Sequence, residues 1–478
     1  MRRIVLGLVL SCALVVAFAS ADALAQGTAT KASGATAAPE LRLVGTKTGP
    51  KDNKVLVFKH KAVKDMDSPG YVAQGYEHGT SFMLPAGWKD TDKAPRPLMI
   101  SLHGFGDTLD EYAGAISQWF ADVDCFVLAP NDPLGTWFYG YSDQLPGGDP
   151  NKGMVVNYTE RRVLAYIEHF ASKYPVDRTR IYLMGGSMGG TGTISLALRY
   201  PDLFAGGDAK KGATNRQYCH WKSQCEGIWG KFETGVKNNE GVNVWDWQNI
   251  AWYVQHHHAK TNWIRTYNGK EDASIPFRQL AGPPDVQPMS FYAALEAFHI
   301  GHQGLWDGSS HAKGDPKGVA LDDWWEPFAD KTCFLKTDLS FPAFSIFSKN
   351  DNPGTGKGDC VGGDGQLGDN TYDGDPQGGF NRFLRWNSTT ITDTPKEWSI
   401  EIKLSGGKAE YKGTGPETVD VTPRRLQKFG VEAGKTYAWK AADGQSGEAK
   451  ADPDGVLTLP GVKVTTAWNR ITVTPPTK

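Results

Sequence analysis

Gly185-Gly186-Ser187-Met188-Gly189 sets a serine between glycines, after the apolar run Ile181-Tyr182-Leu183-Met184 and before a helix-forming stretch from Gly192 to Arg199. A strand that turns this sharply into a helix needs glycine on both sides, because a side chain there would meet the neighbouring backbone. Such a turn exposes the serine hydroxyl and aims the first amides of the helix at a reacting oxygen. The chemistry implied is nucleophilic acyl transfer, with Ser187 as nucleophile and the Met188 amide as one oxyanion donor. A second loop, Leu102-His103-Gly104-Phe105-Gly106-Asp107, follows the apolar run Leu98-Met99-Ile100-Ser101-Leu102. It can offer a second backbone donor, assigned to Phe105, while His103 is expected to be structural.

These residues need a scaffold, and the sequence describes one. Strand-like runs such as Leu98–Leu102, Phe126–Pro130 and Ile181–Met184 alternate with helical stretches, notably Arg161 to Tyr174 with Val163, Leu164, Ile167, Phe170 and Ala171 at helical spacing. That alternation predicts an α/β fold with a mainly parallel sheet over residues 54–337. Residues 26–53 read as a flexible leader. From residue 338 to 478 only strand signals follow, at Phe380–Trp386, Glu397–Leu404, Glu417–Thr422, Thr436–Lys440, Gly455–Leu459 and Arg470–Val473. Separated by Gly, Asp and Pro turns, they predict a small all-β sandwich.

Residues 80–312 resemble the secreted α/β-hydrolases of the polyhydroxybutyrate depolymerase, feruloyl esterase and acetylxylan esterase group. The resemblance rests on Phe82-Met83-Leu84-Pro85, on Leu102-His103-Gly104, and on Arg178 to Gly192. It implies a Ser–acid–His order along the chain. Asn268 to Pro276 resembles the group's strand-end segment, in which Gly-x-x-Asp precedes an apolar residue and Pro. It implies Asp272 as the acid, with Glu271 as the neighbouring alternative; Asn268 stands where the group often carries His. Ser309-Ser310-His311-Ala312 resembles the small-small-His turn before the last helix and implies His311 as the base, with His302 as the alternative. His256-His257-His258 precedes the acid and has the wrong order, and adjacent helical residues point different ways. The C-terminal segment resembles fibronectin type III-like modules appended to secreted hydrolases, in architecture only, and is expected to be accessory.

The resemblance implies a carboxylic-ester hydrolase acting without cofactor or metal, on feruloyl or acetyl esters of polysaccharide or on a polyester. Gly185 to Thr193 followed by a helix also resembles the prolyl oligopeptidase type of serine peptidase, although no blade-length repeats precede it. A carbohydrate-binding protein without catalysis is a third reading, opposed by the presence of all three candidate residues. The Asp/Gly-rich segment Asp351 to Asp375 includes Asp369-x-Thr371-x-Asp373-Gly374, but Phe380 stands where a calcium loop needs Glu, so a surface loop is expected.

Composition bounds the partners and the compartment. With 51 Lys plus Arg against 53 Asp plus Glu, the net charge of −2 gives no footprint for nucleic acid or anionic membrane. Arg2 and Arg3 precede an apolar run from Ile4 to Ala19, and Ala23-Leu24-Ala25 supplies small residues at cleavage spacing. Residues 1–25 therefore read as a signal peptide, which predicts a secreted or periplasmic protein without stable membrane association. Five cysteines lie beyond it: Cys219 with Cys225 is the expected bridge, Cys333 with Cys360 the weaker one, and Cys125 a buried spare. Of 16 tryptophans, Trp221, Trp229, Trp245, Trp247, Trp252 and Trp263 fall between Ser187 and Asp272. Trp221, Trp245 and Trp247 are read as stacking faces for a bulky or polymeric ester, with added core as the competing use.

Overall fold

The computed structural model describes residues 39–282, 289–314, 330–354, 377–405, 411–413 and 415–476. The runs Leu98–Leu102 and Ile181–Leu183 lack the polar alternation of a half-exposed strand, and nearly every residue in them is buried on both faces. Strands of this kind belong inside a sheet covered on two sides by helices. Along the chain come β1 (Arg42–Thr48), β2 (Lys54–Lys61), β3 (Glu77–Leu84), β4 (Arg96–Leu102), β5 (Phe126–Pro130), β6 (Val176–Gly186), β7 (Gly206–Lys210), β8 (Ile264–Gly269) and β9 (His302–Asp307). Further on are β10 (Phe341–Ser345) and β11 (Gly378–Phe380). Ten of them form one sheet in the order β1-β2-β3-β5-β4-β6-β7-β8-β9-β11. The span from β5 through β9 is parallel, while β1, β2, β3 and β11 join antiparallel at the flanks.

Helices cover this sheet. α1 (Leu109–Trp119) starts at Thr108, whose hydroxyl accepts from the Glu111 amide while the Glu111 carboxylate accepts from the Thr108 amide. α2 (Tyr158–Lys173) buries Val163, Tyr166, Ile167 and Phe170, one face at helical spacing. α3 (Met188–Arg199) runs from the serine turn and is buried along nearly its whole length. α4 (Lys222–Trp229), α5 (Val244–Trp247) and α6 (Ile250–His257) fill the insertion between β7 and β8, and α7 (Phe291–Ala297) precedes β9.

Strands later in the chain are β12 (Leu384–Thr394), β13 (Glu397–Leu404), β14 (Glu417–Arg424), β15 (Thr436–Ala441), β16 (Ser446–Lys450), β17 (Leu459–Val464) and β18 (Asn469–Thr474). They make a three-stranded sheet, β10-β14-β17, and a five-stranded sheet, β12-β13-β18-β15-β16, both antiparallel. β15 buries every second residue, as a strand with one wet face does. Trp398, Ile400, Val419, Tyr437, Val462 and Ile471 contribute to the core of this part.

Three expectations need correction here. Arg42–Thr48 lies within the expected flexible leader yet forms β1; its side chains are largely exposed, so no apolar period marks it, and its order comes from the main-chain ladder to β2. The expected boundary near residue 337 falls just before β10, but β11 returns to the central sheet and pairs with β9, Gly304 opposite Phe380 and Trp306 opposite Gly378. The Cys219–Cys225 bridge is absent: both are buried free thiols, as is Cys125. Cys219 Sγ turns to the Arg216 carbonyl at 3.3 Å, and Cys225 Sγ lies 3.8 Å from Gln224 Oε1. Residues 1–25, Cys360 and Asp369 to Gly374 lie outside the described residues. Among the described residues, no helix is long and apolar enough to cross a membrane.

The central sheet and the C-terminal sheets meet along a seam. The Tyr182 hydroxyl donates to the Leu335 carbonyl at 2.8 Å, and the Trp263 and Trp386 rings lie 5.9 Å apart. Two arginines at the end of β14, buried Arg424 and half-buried Arg425, cross it. Arg424 donates to the carbonyls of His258 at 2.9 Å, Phe298 at 2.8 Å and His299 at 2.9 Å. Arg425 donates to the carbonyls of Lys336 at 2.8 Å and Ala205 at 3.2 Å and to the Asn262 side-chain oxygen. Burial pushes both guanidinium groups down to about 10.

Candidate active site

The turn between β6 and α3 holds Ser187 at φ 56° and ψ −119°, a conformation rarely adopted outside glycine. The Ser187 amide donates to the Lys210 carbonyl at 2.8 Å, which ties the turn to the end of β7. Close packing explains the neighbouring glycines. A Cβ on Gly189 would lie 2.0 Å from the Leu102 carbonyl oxygen, and one on Gly190 would lie 2.6 Å from that of Lys210. The nucleophile turn therefore sits directly on β4 and β7, an approach that only a hydrogen on Cα permits.

Two loops at the same ends of neighbouring strands bring in the other groups. Asp272 follows β8 and is fully buried. Its Oδ1 accepts from the amides of Ser274 at 2.9 Å and Ile275 at 2.8 Å, which fixes the carboxylate plane. Its Oδ2 lies 2.7 Å from His311 Nδ1, and His311 Nε2 lies 2.9 Å from Ser187 Oγ. With the Nδ1 proton held by the carboxylate, Nε2 is left as the acceptor for the serine proton. The structure thus brings Ser187, Asp272 and His311 into one hydrogen-bonded chain.

The alternatives lie elsewhere. His302 opens β9 at the other end of that strand from Asp307, with Nδ1 2.8 Å from the Ile300 carbonyl and Nε2 3.2 Å from Glu296. Glu271 is buried beside Asp272, but the carboxylate that meets His311 belongs to Asp272.

Met188 is the first residue of α3 and is buried, so its amide belongs to the helix start beside Ser187. The loop carrying Phe105 is shaped by its neighbours. The Gly104 amide donates to Asp107 at 2.8 Å, and buried His103 accepts the Asp132 amide at Nε2, 2.8 Å, while Nδ1 faces the Gly104 carbonyl at 2.7 Å. His103 therefore holds two loops together. The Phe105 ring is 38% exposed and lies 4.4 Å from the ring of Trp221.

The other two tryptophans read as stacking faces stand differently. Trp245 is 1% exposed; its Nε1 donates to the Gly230 carbonyl at 3.1 Å and its ring meets Trp229 edge-on at 5.6 Å. Trp247 lies under the Arg199 guanidinium, 5.3 Å from its ring centre, and packs edge-on against Tyr253. Trp245 is therefore core, whereas Trp247 is half-buried like Trp221 and packs against the same core; of the two, Trp221 is the one beside Phe105.

Among the described residues, His258, Asp452 and Asp454 bring one potential ligand atom each within 4.8 Å of one another. They lie at the seam, where His258 Nε2 already pairs with Asp454 at 3.2 Å. One residue that the motifs do not mark also faces the triad. Lys211 is buried, and its ammonium donates to the carbonyls of Ser310 and His311. Nothing in the dipeptide Lys210-Lys211 tells which lysine turns inward.

A strand–serine–helix turn, a buried carboxylate and a loop histidine at the strand ends of a mainly parallel sheet are the arrangement that serine hydrolases of the α/β-hydrolase type use. The prolyl oligopeptidase family matches residues 117–295. The chain is 33% identical over 127 residues to feruloyl esterase B of Neurospora crassa, a match covering 25% of this chain and 39% of that protein. It is 29% identical over 138 residues to the poly(3-hydroxybutyrate) depolymerase of Ralstonia pickettii, covering 26% of this chain and 27% of that protein. Each match thus spans about two fifths or less of the relative's length. An S-formylglutathione hydrolase from Agrobacterium tumefaciens superposes with a TM-score of 0.41 at 16% identity, over 57% of this chain and 92% of that one.

Proposed function

We propose that the chain is an exported carboxylic-ester hydrolase that works through an acyl-enzyme on Ser187. The observation that carries this reading is the chain of two hydrogen bonds from Ser187 Oγ through His311 to Asp272. His311 Nε2 takes the serine proton as Oγ attacks the ester carbonyl. Amides of Met188 and Phe105 receive the developing oxyanion, each worth about 3–4 kcal/mol of barrier. Asp272 keeps the proton on Nδ1 and stabilises the imidazolium that forms. His311 then protonates the leaving alcohol and activates the water that clears the acyl group. The chain's own groups supply every proton transfer in this cycle.

The proposed substrates are feruloyl or acetyl esters on polysaccharide, or a polyester of hydroxybutyrate type. The named activities of the curated relatives support that range, and Trp221 beside Phe105 supplies an aromatic face for a bulky acyl or sugar group. Export rests on the signal-peptide pattern of residues 1–25. A second reading, a peptidase, is favoured by the prolyl oligopeptidase match over residues 117–295.

One comparison decides between them. The full chain is offered methyl ferulate, acetylated xylan, polyhydroxybutyrate and a proline-containing peptide, with fluorophosphonate labelling in parallel. Ester turnover with label on Ser187 is the expected result. Cleavage of the peptide alone would favour the peptidase, and an unlabelled Ser187 would end the catalytic reading.

A further inference from the structure

Lys211 follows directly on β7, with φ 52° and its amide donating to the Tyr267 carbonyl on β8 at 2.6 Å. Its side chain runs inward past the Tyr267 ring, whose centre lies 5.8 Å from the ammonium. There it meets the segment that carries the candidate base, donating to the Ser310 carbonyl and, at 3.4 Å, to that of His311. The same segment is pressed against β8 from its other end. A Cβ on Gly269 would lie 1.8 Å from the Ser309 carbonyl oxygen, and the Ser309 amide donates to Asp307 at 2.9 Å. Asp307 in turn accepts the Tyr267 hydroxyl at 2.6 Å. The loop between β9 and His311 is thus fixed at its start by β8 and at its far end by one lysine.

We propose that Lys211 is the positioning residue of the catalytic base: its ammonium, anchored on the Ser310 and His311 carbonyls, fixes the imidazole against Ser187. The inference rests on His311 serving as base. The charged groups facing this lysine are Asp272, Asp307 and Lys210, with the Tyr267 phenol beside them. Burial lowers the affinity of the lysine for its proton, the negative charge of Asp272 restores part of it, and Lys210 opposes.

The experiment uses the full chain and p-nitrophenyl butyrate, with Lys211→Met, Lys211→Arg and Lys211→Gln. Lys211→Met is expected to lose about 10- to 100-fold in kcat, as a displaced catalytic group does, with KM little changed. Lys211→Arg, which keeps the donors, should recover most of the rate. Lys211→Gln keeps a shorter donor, serves if the Met variant does not fold, and should show a smaller loss of kcat at little-changed KM. Wild-type kinetics in a folded Lys211→Met or Lys211→Gln protein overturns the proposal. So does a loss of rate that Arg does not rescue or that falls on KM rather than kcat, the mark of a merely structural lysine. Failure of the wild type to turn over the ester or to label at Ser187 is a separate result, which removes the functional reading itself.

Discussion

The surroundings of His311 and the seam each set a cation against main-chain carbonyls, and they do so with different residues. Beside the triad a single lysine reaches two consecutive carbonyls, those of Ser310 and His311. At the seam two arginines reach carbonyls from several separate segments: His258 past the end of α6, Phe298 and His299 past α7, Ala205 after α3, and Lys336. Carbonyls past a helix end lack an intrahelical donor and carry the negative end of its dipole, so a cation is a suitable cap. The planar fork of arginine can hold several acceptors in fixed directions, whereas lysine offers a compact point charge. The fork fastens pieces of chain together; the point charge acts on one loop and on the place of the group that loop carries.

If that division is right, substitutions near the triad alter rate and those at the seam alter stability. Ser187→Ala should show the extreme of the first kind, a loss of about 10⁶-fold in kcat with an unchanged melting temperature, read with p-nitrophenyl butyrate and by calorimetry. Trp245→Ala tests whether the insertion behaves as core. It should cost about 3–5 kcal/mol in denaturant unfolding, because a buried indole leaves a cavity, while the folded fraction keeps its kcat. Arg425→Met should cost about 2–3 kcal/mol by leaving buried carbonyls without donors, again at constant kcat. A fall in kcat for the arginine variant in proportion to its loss of stability would erase the distinction between the two regions. The smallest effect is expected from Trp221→Ala: about 1 kcal/mol in kcat/KM for an aromatic ester, little for an acetyl ester, and no change in melting.

The candidate site was legible in the sequence because its geometry is demanding over short stretches. A turn that rests on the Leu102 and Lys210 carbonyls requires Gly189 and Gly190 beside Ser187, so the requirement appears as consecutive residues. The segments around Asp272 and His311 are likewise local. The parallel part of the sheet shows in apolar runs buried on both faces. What stayed hidden depends on partners distant in sequence. The burial of Lys211 follows from where β9 delivers His311, and Trp221 differs from Trp245 only in whether Phe105 or Trp229 lies beside it. β1 and β11 owe their place to main-chain pairing with β2 and β9, which no side-chain period records.

The pairing of β11 with β9 also sets an order of events as the chain is made. All three residues of the hydrogen-bonded chain are in the polypeptide once His311 is added, yet Gly304, Leu305 and Trp306, which pair with β8 on one side, acquire their partners on the other only when Gly378, Gly379 and Phe380 emerge. Until then one edge of a largely apolar sheet is bare, and a bare edge pairs with whatever strand it meets, including the same edge of another copy. A message truncated between those points would encode a complete set of chemical groups in a polypeptide prone to aggregate. The silence of such a product would report its solubility rather than its chemistry.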